Sequence, residues 1–113
     1  VGCEPAPSES EVLRKAATEY TEYIVRGEYD KYVDGLFNIK QYPEEYRSEL
    51  IDLYSQHMVN EEHSKGGWES IKVLHDTIYG SYADVFMEVH YKDGGKEEIL
   101  IPMIYDGKDW RLR

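Results

Sequence analysis

The spacing of apolar residues changes once along the chain. From Val12 to about Ser64 they recur every three or four positions, the period of a helix face. From Trp68 onward they alternate every second position, the period of a strand. Ser8-x-x-Glu11 has capping-box spacing and predicts the start of a first helix, whose face carries Val12, Leu13, Ala16, Ala17, Tyr20, Tyr23 and Ile24. Gly27 is placed to end it. A short second helix is expected over residues 28–34, with Tyr29, Tyr32, Val33 and Leu36 on one side. Pro43 followed by Glu44 and Glu45 opens a third, because proline presets φ for the first turn and the acids face the positive end of the helix dipole. Its stripe is Tyr46, Leu50, Leu53, Tyr54, His57 and Met58, and Gly66-Gly67 breaks it.

Three long strands and one short strand follow. In the first, Ile71, Val73 and His75 oppose Lys72, Leu74 and Asp76. In the second, Ala83, Val85, Met87, Val89 and Tyr91 oppose Asp84, Phe86, Glu88 and His90, so the less polar set faces the helices. In the third, Ile99, Ile101, Met103 and Tyr105 oppose Leu100, Pro102 and Ile104. Asp93-Gly94-Gly95 and Asp106-Gly107 supply turns, and Trp110 and Leu112 sit in the last short strand. Pro102 within a strand predicts a bulge or an edge, because proline has no N–H for the ladder. Helices first and a meander last define an α+β class, with N-terminal helices packed on the concave face of a curved antiparallel sheet. Residues 1–9 read as a flexible leader and 10–113 as a single domain.

Composition narrows the function. A net charge of −10 repels a phosphate backbone, which argues against nucleic acid as a partner. Eleven tyrosines against two phenylalanines suit a half-polar cavity, and suit ordinary packing near the surface equally well. No apolar run is long enough to span a membrane. Cys3 is the single cysteine, so no internal disulfide forms. Gly2-Cys3, ahead of a Pro/Ser/Glu-rich spacer, resembles the end of a bacterial lipoprotein signal. That resemblance implies lipidation at Cys3 and an extracytoplasmic domain held to a bacterial membrane by acyl chains alone. The alternative is a stray cysteine in a flexible leader.

Three stretches carry a wider likeness: residues 27–33, residues 83–94, and Ile101-Pro102-Met103-Ile104 through Asp106-Gly107-x-x-Trp110-Arg111-Leu112. With the order of elements, they resemble the nuclear transport factor 2-like cone of the cystatin-like folds, and within it small bacterial lipoproteins of unassigned role. The resemblance implies a pocket between the helices and the concave sheet. Its expected ligand-binding residues are Tyr20, Tyr32, Tyr54, His57, His75, Met87, Met103 and Trp110. A filled core is the alternative for the same residues.

Catalysis has thin support in the sequence. Isomerase chemistry of the kind this cone hosts needs an inward carboxylate beside a hydrogen-bond donor. Tyr20 is a candidate donor, but Asp84 and Glu88 are expected on the opposite sheet face and Glu69 at a strand start. His57 and His75, both expected to face inward, are the candidate acid/base pair. His57, Glu61 and His63 do not share one face, so no metal site is read, and no cofactor motif is present. Leu74, Phe86, Leu100 and Ile104 form an apolar group on the outer sheet face and are the expected interface of a homodimer. The expectation is a non-catalytic, membrane-tethered domain that binds a small ligand or a protein partner. The alternatives are a small isomerase, dehydratase or cyclase-like enzyme, and a structural dimerisation module.

Overall fold

The computed structural model describes residues 6–113. Helix α1 spans Glu9–Val25, and the Ser8 hydroxyl accepts the Glu11 N–H at 3.1 Å, satisfying one of the free donors of the first turn. The helix stops in a Schellman arrangement. The Glu28 N–H donates to the Tyr23 carbonyl at 2.8 Å and the Gly27 N–H to that of Ile24 at 3.1 Å, with Gly27 at φ +76°. Helix α2 is Tyr29–Asp34, a 3-10 turn occupies Ile39–Gln41, and α3 runs Glu44–Lys65 before Gly66 ends it at φ +80°. Strands β1 (Trp68–Tyr79), β2 (Tyr82–Tyr91), β3 (Lys96–Tyr105) and β4 (Trp110–Leu112) form one antiparallel sheet in chain order. The segment after α2 closes the β4 edge: the Phe37 N–H donates to the Leu112 carbonyl at 2.8 Å, and the Leu112 N–H to that of Gly35 at 2.9 Å.

Helix α1 lies on the concave face. Leu13, Ala17, Thr21 and Ile24 are its buried stripe, at i, i+4, i+8 and i+11. Leu13 and Ala17 meet Ala83, Val85, Met87, Ile101 and Met103 from the sheet, Thr21 touches the Met87 sulfur at 3.7 Å, and Trp110 and Leu112 close the end. Leu13, Val85, Met87 and Met103 are wholly excluded from water, each stabilising the fold by about 1.5–3 kcal/mol. Thr21 is the buried polar residue among them, and its hydroxyl donates to the Ala17 carbonyl at 2.9 Å.

Strand β1 departs from strict alternation. Val73 pairs with Met87 and His75 with Phe86, so Leu74 is an extra, unpaired residue, a β-bulge. Beyond it the parity inverts. Asp76, paired with Val85, and Ile78, paired with Ala83, belong to the helix side, while His75 joins Phe86 on the convex face. The expected inward placement of His75 is thereby corrected. Pro102 makes no bulge and sits at a local edge of the ladder, as expected of proline. It pairs with Asp84, and its carbonyl accepts the Arg113 N–H at 3.0 Å, so its ring nitrogen points to the β4 side beyond the last β3–β4 pair, where no donor is needed.

Helix α3 packs on α2 and the start of β1. Met58 is its buried residue, Leu50 and Tyr54 are half-buried, and Tyr46, Leu53 and His57 face water. The expected inward position of His57 is corrected as well: its side chain is 61% exposed, 3.9 Å from Glu61, because only a narrow strip of α3 reaches its neighbours.

Candidate functional site

With the concave face filled, open space lies at the mouth of the cone. A cleft of about 470 Å³ runs between α1 and the turn that joins β3 to β4, within the size range of small-molecule sites. A second stripe of α1, Val12, Ala16, Glu19, Tyr20 and Tyr23, forms one wall. Tyr105, Lys108, Asp109, Trp110 and Arg111 form the other, and Lys31, Asp34 and Gly35 close the end. The broad apolar face of α1 thus divides, one stripe packing on the sheet and its neighbour lining the cleft. A wider hollow of about 770 Å³ adjoins it, sharing Asp34 and Arg111 and bordered by residues 36–41. Phe37 is the single aromatic ring in that hollow, against Tyr20, Tyr23, Tyr105 and Trp110 in the cleft.

Tyr20 spans the floor. Its hydroxyl donates to the Trp110 carbonyl at 3.0 Å, and its ring lies where a Cβ on Gly35 would stand. Burial pushes the phenol pKa up, opposed by the nearby Arg111 guanidinium. Asp106 organises the turn. Its carboxylate accepts the N–H groups of Asp109 at 2.7 Å and Lys108 at 2.8 Å and the Arg111 guanidinium at 3.1 Å. Those bonds, the two backbone ones first, hold it down to about 2. Arg111 is raised by its bond to Asp106 and stands 3.6 Å from Asp109.

The remaining charges at the rim are largely matched. Lys31 is 3.0 Å from Glu28 and lies over the Tyr23 ring. Asp34 takes both arms of the Arg47 fork, at 2.7 and 3.0 Å. Among the described residues Glu19 and Lys108 have no ion-pair partner. Aromatic walls with a few fixed polar groups suit a flat, partly polar molecule.

Of the expected ligand residues, Tyr20 and Trp110 meet in this cleft. Tyr32 and Tyr54 meet each other instead, edge to face at 4.9 Å in the helix layer, where burial pushes the Tyr32 hydroxyl pKa up. Met87 and Met103 are enclosed in the core. His57 stands on the outer side of α3, and His75 stacks on Phe86 at 4.3 Å on the convex face, so no acid/base pair forms between them. The bulge also turns a carboxylate inward where none was expected. Asp76, its side chain 8% exposed, accepts from the Ser10 hydroxyl and from Arg14, bracing β1 to α1. Burial pushes its pKa up, but those two bonds outweigh it and hold the group below its ordinary value. Asp76 is thereby tied into the contact between helix and sheet, and it does not line the cleft.

On the convex face Phe86 pairs with Leu100, which is 49% exposed, and Ile104 follows two pairs along, opposite Tyr82. Leu74, in the bulge beside His75, is half-buried. Cys3 lies outside the described residues. Among those described, no three His, Cys, Asp or Glu side chains converge to hold a metal, and no helix is long and apolar enough to cross a membrane. Sequence reasoning missed Tyr23, Lys31, Asp34, Tyr105 and Arg111 as cleft residues. The available signal was the width of the α1 stripe, broader than one packing face needs, together with the Asp106-to-Arg111 turn.

No protein-family model matches the chain, and no curated protein matches it. Among solved structures, a Campylobacter jejuni protein provisionally named an NTF2-like transpeptidase superposes with a TM-score of 0.70. It is 14% identical, over 88% of this chain and 95% of that one. The chain has the nuclear transport factor 2-like fold.

Proposed function

We propose that this chain is a non-catalytic binding domain that takes a small, flat, partly polar molecule in the cleft at the cone mouth. The observation that supports it best is the pairing of a filled concave face with an open, aromatic-walled cleft beside it. The fixed groups of the cleft are already engaged: Tyr20 with Trp110, Arg111 with Asp106, Asp34 with Arg47. They can orient a ligand, but none is held as a free base. Transpeptidation, the activity in the name of the Campylobacter protein, needs a nucleophile beside a base. Ser10 is the serine placed against a carboxylate, and both it and its partner Asp76 lie outside the cleft.

The test is a fragment screen read by protein NMR on the wild type and on Val12→Trp, which fills the cleft from an exposed helix position. The proposal expects shared shifts at Ala16, Tyr23 and Arg111, lost in the variant. Hits that leave those residues still, or that bind Val12→Trp equally, would reject it. The tether belongs to the same reading, and its support is the Gly2-Cys3 resemblance. Mass spectrometry of material from the native host should find an acylated Cys3, and an unmodified thiol would remove the membrane from the proposal.

A second reading, pairing of two copies through the convex sheet face, is favoured by the exposed Leu100 beside Phe86 and His75.

A further inference from the structure

We infer that the outer side of α3, with the groove at its N-terminal end, docks a basic amphipathic segment of a partner protein. A groove of about 200 Å³ opens where the 3-10 turn meets α3 and the β4 edge. Ile39, Leu50 and Leu112 form its floor, and Phe37, Tyr42 and Tyr46 rise around it. Tyr42 and Tyr46 are both exposed and pack against each other in a tilted pair with ring centroids 4.9 Å apart, so two rings stand together at the rim. The apolar surface continues along α3 to Leu53, two turns beyond Tyr46 on the same face and 63% exposed. An unpartnered aromatic and leucine stripe on a helix is the kind of surface that marks a contact site.

Charge selects the occupant. Glu45, Glu49 and Asp52 flank the stripe and have no ion-pair partner among the described residues. The nearby cations are engaged or elsewhere. Arg47 is bound to Asp34 and Glu44, Arg113 lines one end of the groove but its guanidinium is taken up by Asp84 at 3.8 Å and the Tyr82 ring, and Lys40 lines the adjoining hollow instead. A second copy of this chain would set the same carboxylates against each other across a two-fold axis, on a protein already at −10. An anionic lipid surface and a nucleic acid would be repelled likewise. A segment carrying leucine-like anchors and lysines meets both features: the anchors fill the groove and the stripe, and the lysines face the free carboxylates. No groove residue lines the cleft at the cone mouth, so the two sites stand or fall separately.

The experiment titrates the full chain into a fluorescein-labelled synthetic peptide of lysine and leucine at helical spacing, read by anisotropy. Control peptides replace lysine by glutamate, or leucine by serine. The expected result is saturable binding of the Lys/Leu peptide that salt weakens and that neither control reproduces. Leu53→Ser and Glu49→Lys, both exposed changes checked for folding by circular dichroism, should each weaken it at least tenfold, while Val12→Trp leaves it unchanged. Four results would overturn the inference: no saturable binding, equal binding of the Lys/Ser peptide, binding unmoved by Leu53→Ser and Glu49→Lys, or sedimentation showing a dimer that Leu53→Ser dissolves.

Discussion

The smallest residue at the cone mouth carries much of its geometry. Gly35 has an ordinary negative φ of −81°, so what it provides is room for the Tyr20 ring. Gly35→Ala should displace that ring, break the bond from Tyr20 to Trp110 and cost about 1–3 kcal/mol by urea unfolding. Tyr20→Phe, which keeps the ring, should cost only about 1 kcal/mol. Combining Gly35→Ala with Tyr20→Ala should cost clearly less than the two single changes added, and strict additivity would contradict the contact. Asp76 makes a different kind of test. Its folded-state pKa lies below the usual 3.8, so the folded chain holds that proton more weakly than the unfolded chain does. Its contribution is therefore complete above 3.8 and fades as the pH falls below it. Asp76→Asn should destabilise by about 2 kcal/mol at neutral pH, since it weakens charge-assisted bonds from Arg14 and Ser10. The gap between variant and wild type should close in acid, and a gap constant with pH would contradict the ion pair.

Among the elements, those that follow a simple period were legible in the sequence. The Ser8 cap, the Gly27 stop, the burial of alternate residues along β2 and the turns at Gly94 and Gly107 all follow from local chemistry. The bulge at Leu74 was not legible, because one extra residue leaves composition and spacing almost unchanged while reversing every side chain after it. That reversal moved His75 out and Asp76 in, and so removed half of the expected acid/base pair. The outward position of His57 was hidden for another reason: the apolar residues of α3 are spread around the helix, so no unique buried face could be read. Deleting Leu74 should remove the bulge yet keep His75 opposite Phe86 and Asp76 opposite Val85, so the variant should unfold cooperatively with the Arg14–Asp76 pair in place, and Leu74→Val should also fold normally. A deletion variant in which Asp76→Asn no longer costs stability would show that β1 had slipped its register instead. The β3–β4 turn has its own signature. The Asp106 carboxyl should titrate near 2 in an NMR pH series, and an ordinary value would mean that its bonds to Lys108 and Asp109 do not persist in solution.

For the whole molecule, the nuclear transport factor 2-like cone sets out three surfaces: the cleft at its mouth, the outer side of α3 and the convex sheet. A fold alone does not choose among them, because chemistry resides in the site. The convex sheet has a direct test. If it pairs two copies, Phe86→Glu should give a folded monomer by light scattering, and an undisturbed dimer would exclude that face. The cleft between α1 and the β3–β4 turn is the surface proposed to hold a small molecule. Native mass spectrometry of freshly purified, never-unfolded protein tests it most directly, with wild type and Val12→Trp prepared side by side. A small molecule should be retained on the wild type and be missing from the folded variant. A wild type carrying nothing, or a variant carrying the same mass, would contradict it.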